Sequence, residues 1–537
     1  MATETELKLQ PARMRDLPRL LAHPRLVGTA PERLRLDACY FDTPELDLLR
    51  ARMAVRERRE GARRVWTVKT AGEALGGLSR RGEWEGPARR GGYDFAALLG
   101  DDAPELSAWL RARQAALQPV FRTRFTRLRW TVEALGARIE VALDRGQILC
   151  VTPEGTRREP LLELELERLE GPEDALFALA LELNEAMPLW PLSASKAERG
   201  YALYLQTRGA AAAAAPRPTQ PISSEVDRRM APRTAPKTAP RSDPNRPARD
   251  AFVQLAQAAL DTLVPPLRTA ALTPERGDAA AVEAVHQSRV ALRRLRALLA
   301  AFAPALPGDW GGRERSHWRA LAQALGRVRD LDVLRSEIGP QLMQAVPGSS
   351  ASRWSAALAR EQARAWRRLQ AELQQPATTA QVLQFARALH GLSAAGNGSA
   401  AHGRGPTLRA LARQRLRHRQ RRLRRALAAV LDTRARDAER VHALRIEVKK
   451  LRYATEALID ALPPKAAREA QRRLEVLISA QSALGRWHDW QLAAAWQGEV
   501  ARRPTGADSA LCAALQAELT RQRRRVQRAC AALEAVI

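Results

Sequence analysis

The sequence predicts two domains of different class: an N-terminal antiparallel β tunnel or barrel (α+β) and a C-terminal all-α, internally duplicated helical domain. Three observations carry this. Residues 1–207 hold short segments in which apolar and polar side chains alternate, the mark of strands with two unlike faces. Residues 208–250 run through Ala210 to Ala215 and then eight prolines, which forbids a continuous helix or central strand and reads as an extended basic linker. Residues 251–537 hold long Ala-, Leu-, Arg- and Gln-rich stretches at helical spacing. A chain of 537 residues is too long for one ordinary core. With 45% hydrophobic and 27% charged residues, it has the composition to bury two.

The strand expectations in the first domain are 4–9, 65–70, 82–85, 120–130, 137–143 and 161–167, with helical interruptions around 94–116 and 172–185. Residues i, i+2 and i+4 of a strand share a face. Glu4, Glu6 and Lys8 therefore point one way, with Thr5 and Leu7 opposite. Glu163, Glu165 and Glu167 share a face against Leu162, Leu164 and Leu166, and Arg81, Glu83 and Glu85 form a third set. Arg56 with Arg58 and Arg122 with Arg124 are basic sets, and Lys69 stands alone in its strand. A solvated outer face would account for any one of these strands. It does not account for their sorting into acidic and basic strands, which a closed barrel with a charged interior does. Clustered carboxylates there suit Mg²⁺ or Mn²⁺, and clustered Arg and Lys suit phosphate oxygens.

In the second domain His286-Gln-Ser-Arg289-Val-Ala-Leu-Arg293-Arg294-Leu295-Arg296 returns 156 residues later as His442-Ala-Leu-Arg445-Ile-Glu-Val-Lys449-Lys450-Leu451-Arg452. Leu325-Gly326-Arg-Val-Arg329-Asp330 returns 159 residues later as Leu484-Gly485-Arg-Trp-His488-Asp489. Two features in one order at nearly one offset indicate duplication. On a helix, His286, Arg289, Arg293 and Arg296 form one face and Leu292, Leu295, Leu298 and Leu299 another; His442, Arg445, Lys449 and Arg452 repeat the first. An ordinary solvated face is the plain reading of one such helix, and its duplication without a carboxylate points to a groove for a linear polyanion.

The charge is distributed to match. Residues 1–208 hold 33 Lys and Arg against 31 Asp and Glu, a balance of +2, so +27 of the total +29 falls in residues 209–537. That half should draw polyphosphate, nucleic acid or an anionic surface. The four cysteines, Cys39, Cys150, Cys512 and Cys530, show no metal spacing and suit a reducing compartment. Neither a secretory start nor a run of 18 apolar residues appears, so a cytoplasmic, non-membrane protein is expected.

Glu4-x-Glu6-x-Lys8, Tyr40-Phe41-Asp42-Thr43 with Leu49-Arg50, Val55-Arg56-Glu57-Arg58, Thr67-Val68-Lys69, Arg81-x-Glu83-x-Glu85, Arg122-x-Arg124, Glu140 with Asp144, Glu163-Leu-Glu165-Leu-Glu167 and Ser195-Lys196-x-x-Arg199-Gly200-Tyr201 together resemble the CYTH family of triphosphate tunnel metalloenzymes. The resemblance implies an eight-stranded tunnel that hydrolyses inorganic triphosphate with Mg²⁺ or Mn²⁺. It implies Glu163 and Glu165 as ligands of a first metal, and Glu4 and Glu6 as ligands of a second or as orienters of the attacking water. It implies Lys8, Arg56, Arg58, Lys69, Arg81, Arg122, Arg124, Lys196 and Arg199 as the phosphate clamp. Glu83, Glu85, Glu140 and Asp144 are left between ligand, water-orienting base and support.

Val285-His286-x-x-Arg289, Arg293-Arg294-Leu295-Arg296, Arg329-Asp330-x-Asp332, His442-x-x-Arg445, Lys449-Lys450-Leu451-Arg452-Tyr453 and His488-Asp489 resemble the CHAD domain. That resemblance implies inorganic polyphosphate bound by His286, Arg289, Arg293, Arg296, His442, Arg445, Lys449 and Arg452, with polyphosphate granules as an associated location. Arg329 stands where the second repeat has His488, which argues against a symmetric metal site. The histidines are expected to make the groove more cationic as pH falls.

The alternatives are a tunnel acting on thiamine triphosphate, a nucleoside triphosphate or an RNA 5′ end, a cyclase, and a largely non-catalytic polyphosphate binder. No Walker loop supports a nucleotide specialist. The two acidic strands argue against pure anion binding. No helix-turn-helix, zinc finger or RNA-recognition signature supports a nucleic-acid binder.

Overall fold

The structure, a computed structural model, describes residues 3–70, 72–88, 93–152, 155–207, 243–273, 279–346, 349–397, 405–500 and 508–537. Most of the expected linker, residues 208–242, lies outside the described residues. Two compact units divide the chain: Met1–Lys237 with Gln375–His390, and Thr238–Gln374 with Gly391–Ile537. Among the described residues no helix is long and apolar enough to cross a membrane.

The first unit is built on β1 (Thr3–Pro11), β2 (Glu32–Asp42), β3 (Ala54–Glu60), β4 (Arg63–Lys69), β5 (Glu73–Leu75), β6 (Leu78–Pro87), β7 (Gln118–Ala134), β8 (Ala137–Thr152), β9 (Gly155–Glu170) and β10 (Leu189–Pro191). The pairing order is β10-β1-β9-β8-β7-β2-β3-β4-β6-β5, and β6 also pairs with β1, Glu4 opposite Arg81. This second pairing closes eight antiparallel strands into a barrel and removes their free edges. Of these strands β2 and β3 were not among the alternating segments expected.

Which face turns inward follows from where the apolar side chains can be covered. The outer residues Leu7, Leu9, Ile139, Val141, Leu164 and Leu166 are fully buried, and the helix Asp174–Ala186 packs on β1 and β9. On another side Val55, Trp66, Val68 and Trp84 form one cluster with Phe95, Leu99, Leu106, Trp109 and Leu110 of two short helices. Helices thus take the apolar faces, which leaves the charged faces the interior. Asn184, from the same helix, donates to the Pro376 carbonyl at 2.8 Å and accepts from Thr379 at 2.6 Å, both within this unit.

The helix Lys196–Thr207 is fastened at one end of the barrel. The Tyr201 hydroxyl donates to Asp42 Oδ2 at 2.8 Å, and the same carboxylate accepts from the backbone N–H of Thr43, Leu48 and Leu49 at 2.7, 2.8 and 2.9 Å. Next to Tyr201 on the same helix, Gly200 lies so near Phe121 that an added Cβ would sit 2.0 Å from its ring. Gly200→Ala should therefore push the helix off β7 and lower stability by about 1–3 kcal/mol. A fall in the denaturant midpoint with unchanged slope would show it, and an unchanged midpoint would contradict the close approach.

The second unit is helical. Its longer elements are Ala248–Leu272, Ala279–Phe302, Arg319–Val333, Ser349–Leu373, Leu408–Asp432, Ala438–Leu458, Pro464–Val500 and Asp508–Glu534. Leu423, Leu444, Leu451, Leu477, Leu484, Trp487, Val526 and Leu533 belong to one buried cluster. The two helices that carry the repeated basic motif, Ala279–Phe302 and Ala438–Leu458, pack against each other, so the two copies of the motif meet.

Candidate triphosphate tunnel and basic groove

A cavity of about 630 Å³ fills the barrel interior. Register sorts its walls. Lys8 lies opposite Glu165 and Glu6 opposite Glu167 across β1 and β9; Lys69 lies opposite Glu83 and Thr67 opposite Glu85 across β4 and β6. Arg127 lies opposite Asp144, which in turn lies opposite Glu163, across β7, β8 and β9. Lys8, Lys69 and Arg127 thereby each meet an inward carboxylate on a neighbouring strand, which makes burial of both tolerable.

Lys196 is the hub of the acidic end. Its Nζ lies 2.8 Å from Asp144 Oδ2, 2.7 Å from Glu163 Oε2 and 2.8 Å from Glu165 Oε1. Burial alone would lower this ammonium's pKa, but the three carboxylates hold it well above the ordinary value. Burial likewise opposes charge on Glu165, yet Lys196, Lys8 and Arg127 hold its pKa well below the carboxylate range. Arg127 donates to both Asp144 oxygens at 2.7 Å and to Glu165 Oε2 at 2.6 Å. Lys8 bonds Glu6 at 2.7 Å and also Glu165.

Glu4 and Glu6 line the cavity but are held by cations. Lys69 lies 3.0 Å from Glu4 Oε2, Arg81 Nε lies 2.9 Å from the same oxygen, and Arg81 also bonds Glu6. Arg56 and Arg58 form another wall beside Glu83 and Glu85, and Arg56 donates to the Tyr40 hydroxyl at 3.4 Å. Glu167, against Glu4, Glu140 and Glu6, is pushed by burial and by those carboxylates up to about 7.

Three expected clamp residues do not reach the cavity. Arg122 and Arg124 are exposed on the outer face of β7, where Arg124 pairs with Asp37 at 3.0 Å. Position parity is the reason: Phe125, Arg127 and Arg129 face inward, so the even-numbered arginines face out. Arg199 sits behind the acidic end, with its Nη1 2.5 Å from Glu163 and Nε 2.8 Å from Glu159; it holds a carboxylate and does not line the cavity. The sequence reading missed Arg127 and Arg129, whose only signal was a second R-x-R on the same strand. Glu83, Glu85 and Glu140 line the walls, whereas Asp144 is fully buried beneath them.

The residues fit a hard divalent cation. One carboxylate oxygen from each of Asp144, Glu163 and Glu165 lies within 4.8 Å of the others, an all-oxygen donor set. Lys196 Nζ is ion-paired with Glu163 Oε2 at 2.7 Å and with the other two carboxylates at 2.8 Å, so an ion held by these three would take the place of that ammonium.

In the helical unit the two motif copies form one basic cluster. Arg289 donates to Asp330 Oδ1 at 3.0 Å and to the Gly326 carbonyl at 3.2 Å, and Arg293 lies over the Tyr453 ring at 5.1 Å. The charges bearing on Arg445 include Asp489, Arg289, Asp330 and Arg293, so both copies share one field. The rings of His442 and His488 lie 5.5 Å apart. Arg452, though paired with Glu456 at 2.8 Å, lies over the same Tyr453 ring at 5.4 Å and bears on Arg293, whereas the charges around Arg296 are Arg315 and Arg319. His286 has Arg329 as its strongest charged neighbour.

The expected histidine response is moved to lower pH. Burial and adjacent cations pull His442 down and push His488 to about 3, and burial with Arg329 pulls His286 down. The groups that titrate near neutrality are Lys449, lowered to about 7 by burial and by Arg445, Arg293 and Arg289, and Asp489, raised to about 6 chiefly by burial.

Comparison with known proteins follows the same division. The descriptions "CYTH domain" and "CHAD domain" match residues 2–201 and 266–498. An inorganic triphosphatase of Haemophilus influenzae is 33% identical over 215 residues, covering 38% of this chain and 55% of that protein. The chain thus spans about half the length of that curated relative. Among solved structures, the CHAD domain from the plant Ricinus communis is 23% identical with a TM-score of 0.45, covering 56% of this chain and 96% of that one. PptA from Streptomyces chartreusis is 21% identical with a TM-score of 0.38, covering 54% and 98%.

Proposed function

The chain carries a CYTH domain and a CHAD domain, and from that premise we propose that it is a metal-dependent inorganic triphosphatase whose helical domain binds inorganic polyphosphate. The observation that carries the first part is the cavity's charge. Ten cationic and nine acidic side chains line it, so the wall is close to neutral. A bare triphosphate would enter with its own charge largely uncompensated, and a divalent cation held by Asp144, Glu163 and Glu165 would reduce that deficit. When bound, that ion contributes charge neutralisation on the phosphate oxygens. The remaining work belongs to the chain. Lys8, Arg56, Arg58, Lys69, Arg81, Arg127 and Lys196 fix the phosphates, because phosphoryl transfer depends on positioning and electrostatics. Glu4, Glu6 and Glu167 orient the attacking water, and Glu167, with a pKa near 7, accepts its proton.

Inorganic triphosphate is favoured over a nucleotide because the aromatic side chains lining the cavity, Tyr40, Phe125 and Tyr201, are each buried and present no face to a base. Phosphate release from tripolyphosphate, ATP and thiamine triphosphate, each with Mg²⁺ or Mn²⁺, tests this. Tripolyphosphate should give the highest kcat/KM, and a preference for ATP would overturn the substrate assignment.

For the groove, the sign of the pH effect follows from two groups. Between pH 5 and 8 Asp489 gains a negative charge and Lys449 loses a positive one. Polyphosphate binding should therefore weaken as pH rises, on the order of tenfold for one lost ionic contact. Titration of Kd against pH should show this slope flattened in Lys449→Met; an identical slope in the variant would remove Lys449 as its source.

A further inference from the structure

The central cluster is not the only place where arginines gather without matching carboxylates. On the helix Ala279–Phe302, Arg289 and Arg293 face the second repeat, but Arg296, about 4.5 Å further along the axis, faces elsewhere. The charges that bear on it are those of Arg315 and Arg319, from the end of helix Trp310–His317 and the start of Arg319–Val333. Arg415, from helix Leu408–Asp432, reaches the same place: its Nη2 donates at 2.6 Å to the carbonyl of Ala300, one turn beyond Arg296. Arg315 is its charged neighbour too, and Arg419 lies one turn on from Arg415 with Arg315 also in its field. The buried Nε atoms of Arg296 and Arg415 have no hydrogen-bond partner. Of the charges that bear on Arg296, Arg415 and Arg419, the one carboxylate is Glu447, 4.0 Å from Arg419.

The second repeat does not reproduce this. The counterpart of Arg296 is Arg452, which Glu456 neutralises at 2.8 Å. At the offset of 159 residues that relates Leu325 to Leu484, Arg315 and Arg319 correspond to Leu474 and Ile478. Like charges on one side only, with Arg296, Arg415 and Arg419 half-buried at a cost in desolvation and repulsion and Arg315 and Arg319 exposed beside them, are tolerated where an anion completes them.

We propose that Arg296, Arg315, Arg319, Arg415 and Arg419 form a second phosphate-binding station, so that the groove is extended at the first repeat's end alone and holds long polyphosphate at two places. This rests on the reading of the helical domain as a polyphosphate binder. The stripe Arg289, Arg293 and Arg296 is the path between the stations, and a short oligomer occupies only the central one.

The test uses the full chain in EDTA, so that polymer is not hydrolysed, with short linear and long-chain polyphosphate as probes. Arg315→Glu with Arg319→Glu alters two exposed side chains. Long-chain Kd should rise on the order of 10- to 100-fold, with the salt slope reduced by about two, while short-chain Kd stays the same. Ile478→Glu, at the mirrored and partly exposed position, should change neither. Equal weakening of both lengths, equal weakening by Ile478→Glu, or an effect confined to duplex DNA would overturn the second station. Failure of the unaltered protein to bind either polyphosphate would instead remove the reading beneath it.

Discussion

Glu165→Gln should reduce tripolyphosphate hydrolysis by at least about 10³-fold, equivalent to about 4 kcal/mol of transition-state stabilisation. This carboxylate meets Lys196 at 2.8 Å and Arg127 at 2.6 Å, bonds Lys8, and supplies one of the three oxygens of the acidic group. Its replacement removes a negative charge from among three buried cations and one donor from the site that would hold the divalent ion. The amide keeps the shape, so the fold should persist with a lower melting temperature, because breaking a buried ion pair costs about 3–5 kcal/mol. A readout independent of turnover separates the two losses. Saturating Mg²⁺ or Mn²⁺ should stabilise the unaltered protein by about 2.7 kcal/mol at a hundredfold excess over Kd, and should stabilise the variant much less. Equal metal-dependent stabilisation of both proteins would show that Glu165 is not a ligand, whatever happens to the rate.

The legible parts of this protein are those where the sequence pattern has one period and one solution. β1 and β9 alternate charge with leucine, and an apolar face covered by a helix forces the charge into the bore, so Glu4, Glu6, Lys8, Glu163 and Glu165 could be grouped before their neighbours were known. The duplicated motif was equally plain, since a helix face returns at a fixed offset. β7 offered two solutions. Its four arginines fall on both parities, 122 and 124 against 127 and 129, and the register with β2 shifts between Tyr40 and Phe41. Val120 and Phe121 are both buried as a result, and no local signal states which parity resumes inward. The part played by Asp144 depends on a three-strand register, Arg127 to Asp144 to Glu163, that no single segment contains. The histidines differ for another reason: an exposed imidazole charges near its ordinary value, whereas burial and the surrounding cations lower His488 to about 3.

The parity of β7 yields the other large effect. Arg127→Ala should lower kcat/KM for tripolyphosphate by about 10²–10³-fold, the range seen when a preorganised charge donor is removed from a site excluded from water. Its guanidinium spans both oxygens of Asp144 and one of Glu165, so it sets the spacing of two of the three acidic groups besides facing the substrate. Arg127→Lys should recover little, since an ammonium cannot make that planar bidentate contact. Arg122→Ala and Arg124→Ala should stay within about twofold of the unaltered enzyme. Arg124 loses only a surface pair with Asp37, and such pairs contribute at most about 1 kcal/mol. The four substitutions thus read the strand's orientation directly. Large losses at 122 and 124 with a small one at 127 would mean that β7 presents its other face to the bore, and the acidic end would then need a different cation to hold Asp144 and Glu165 apart.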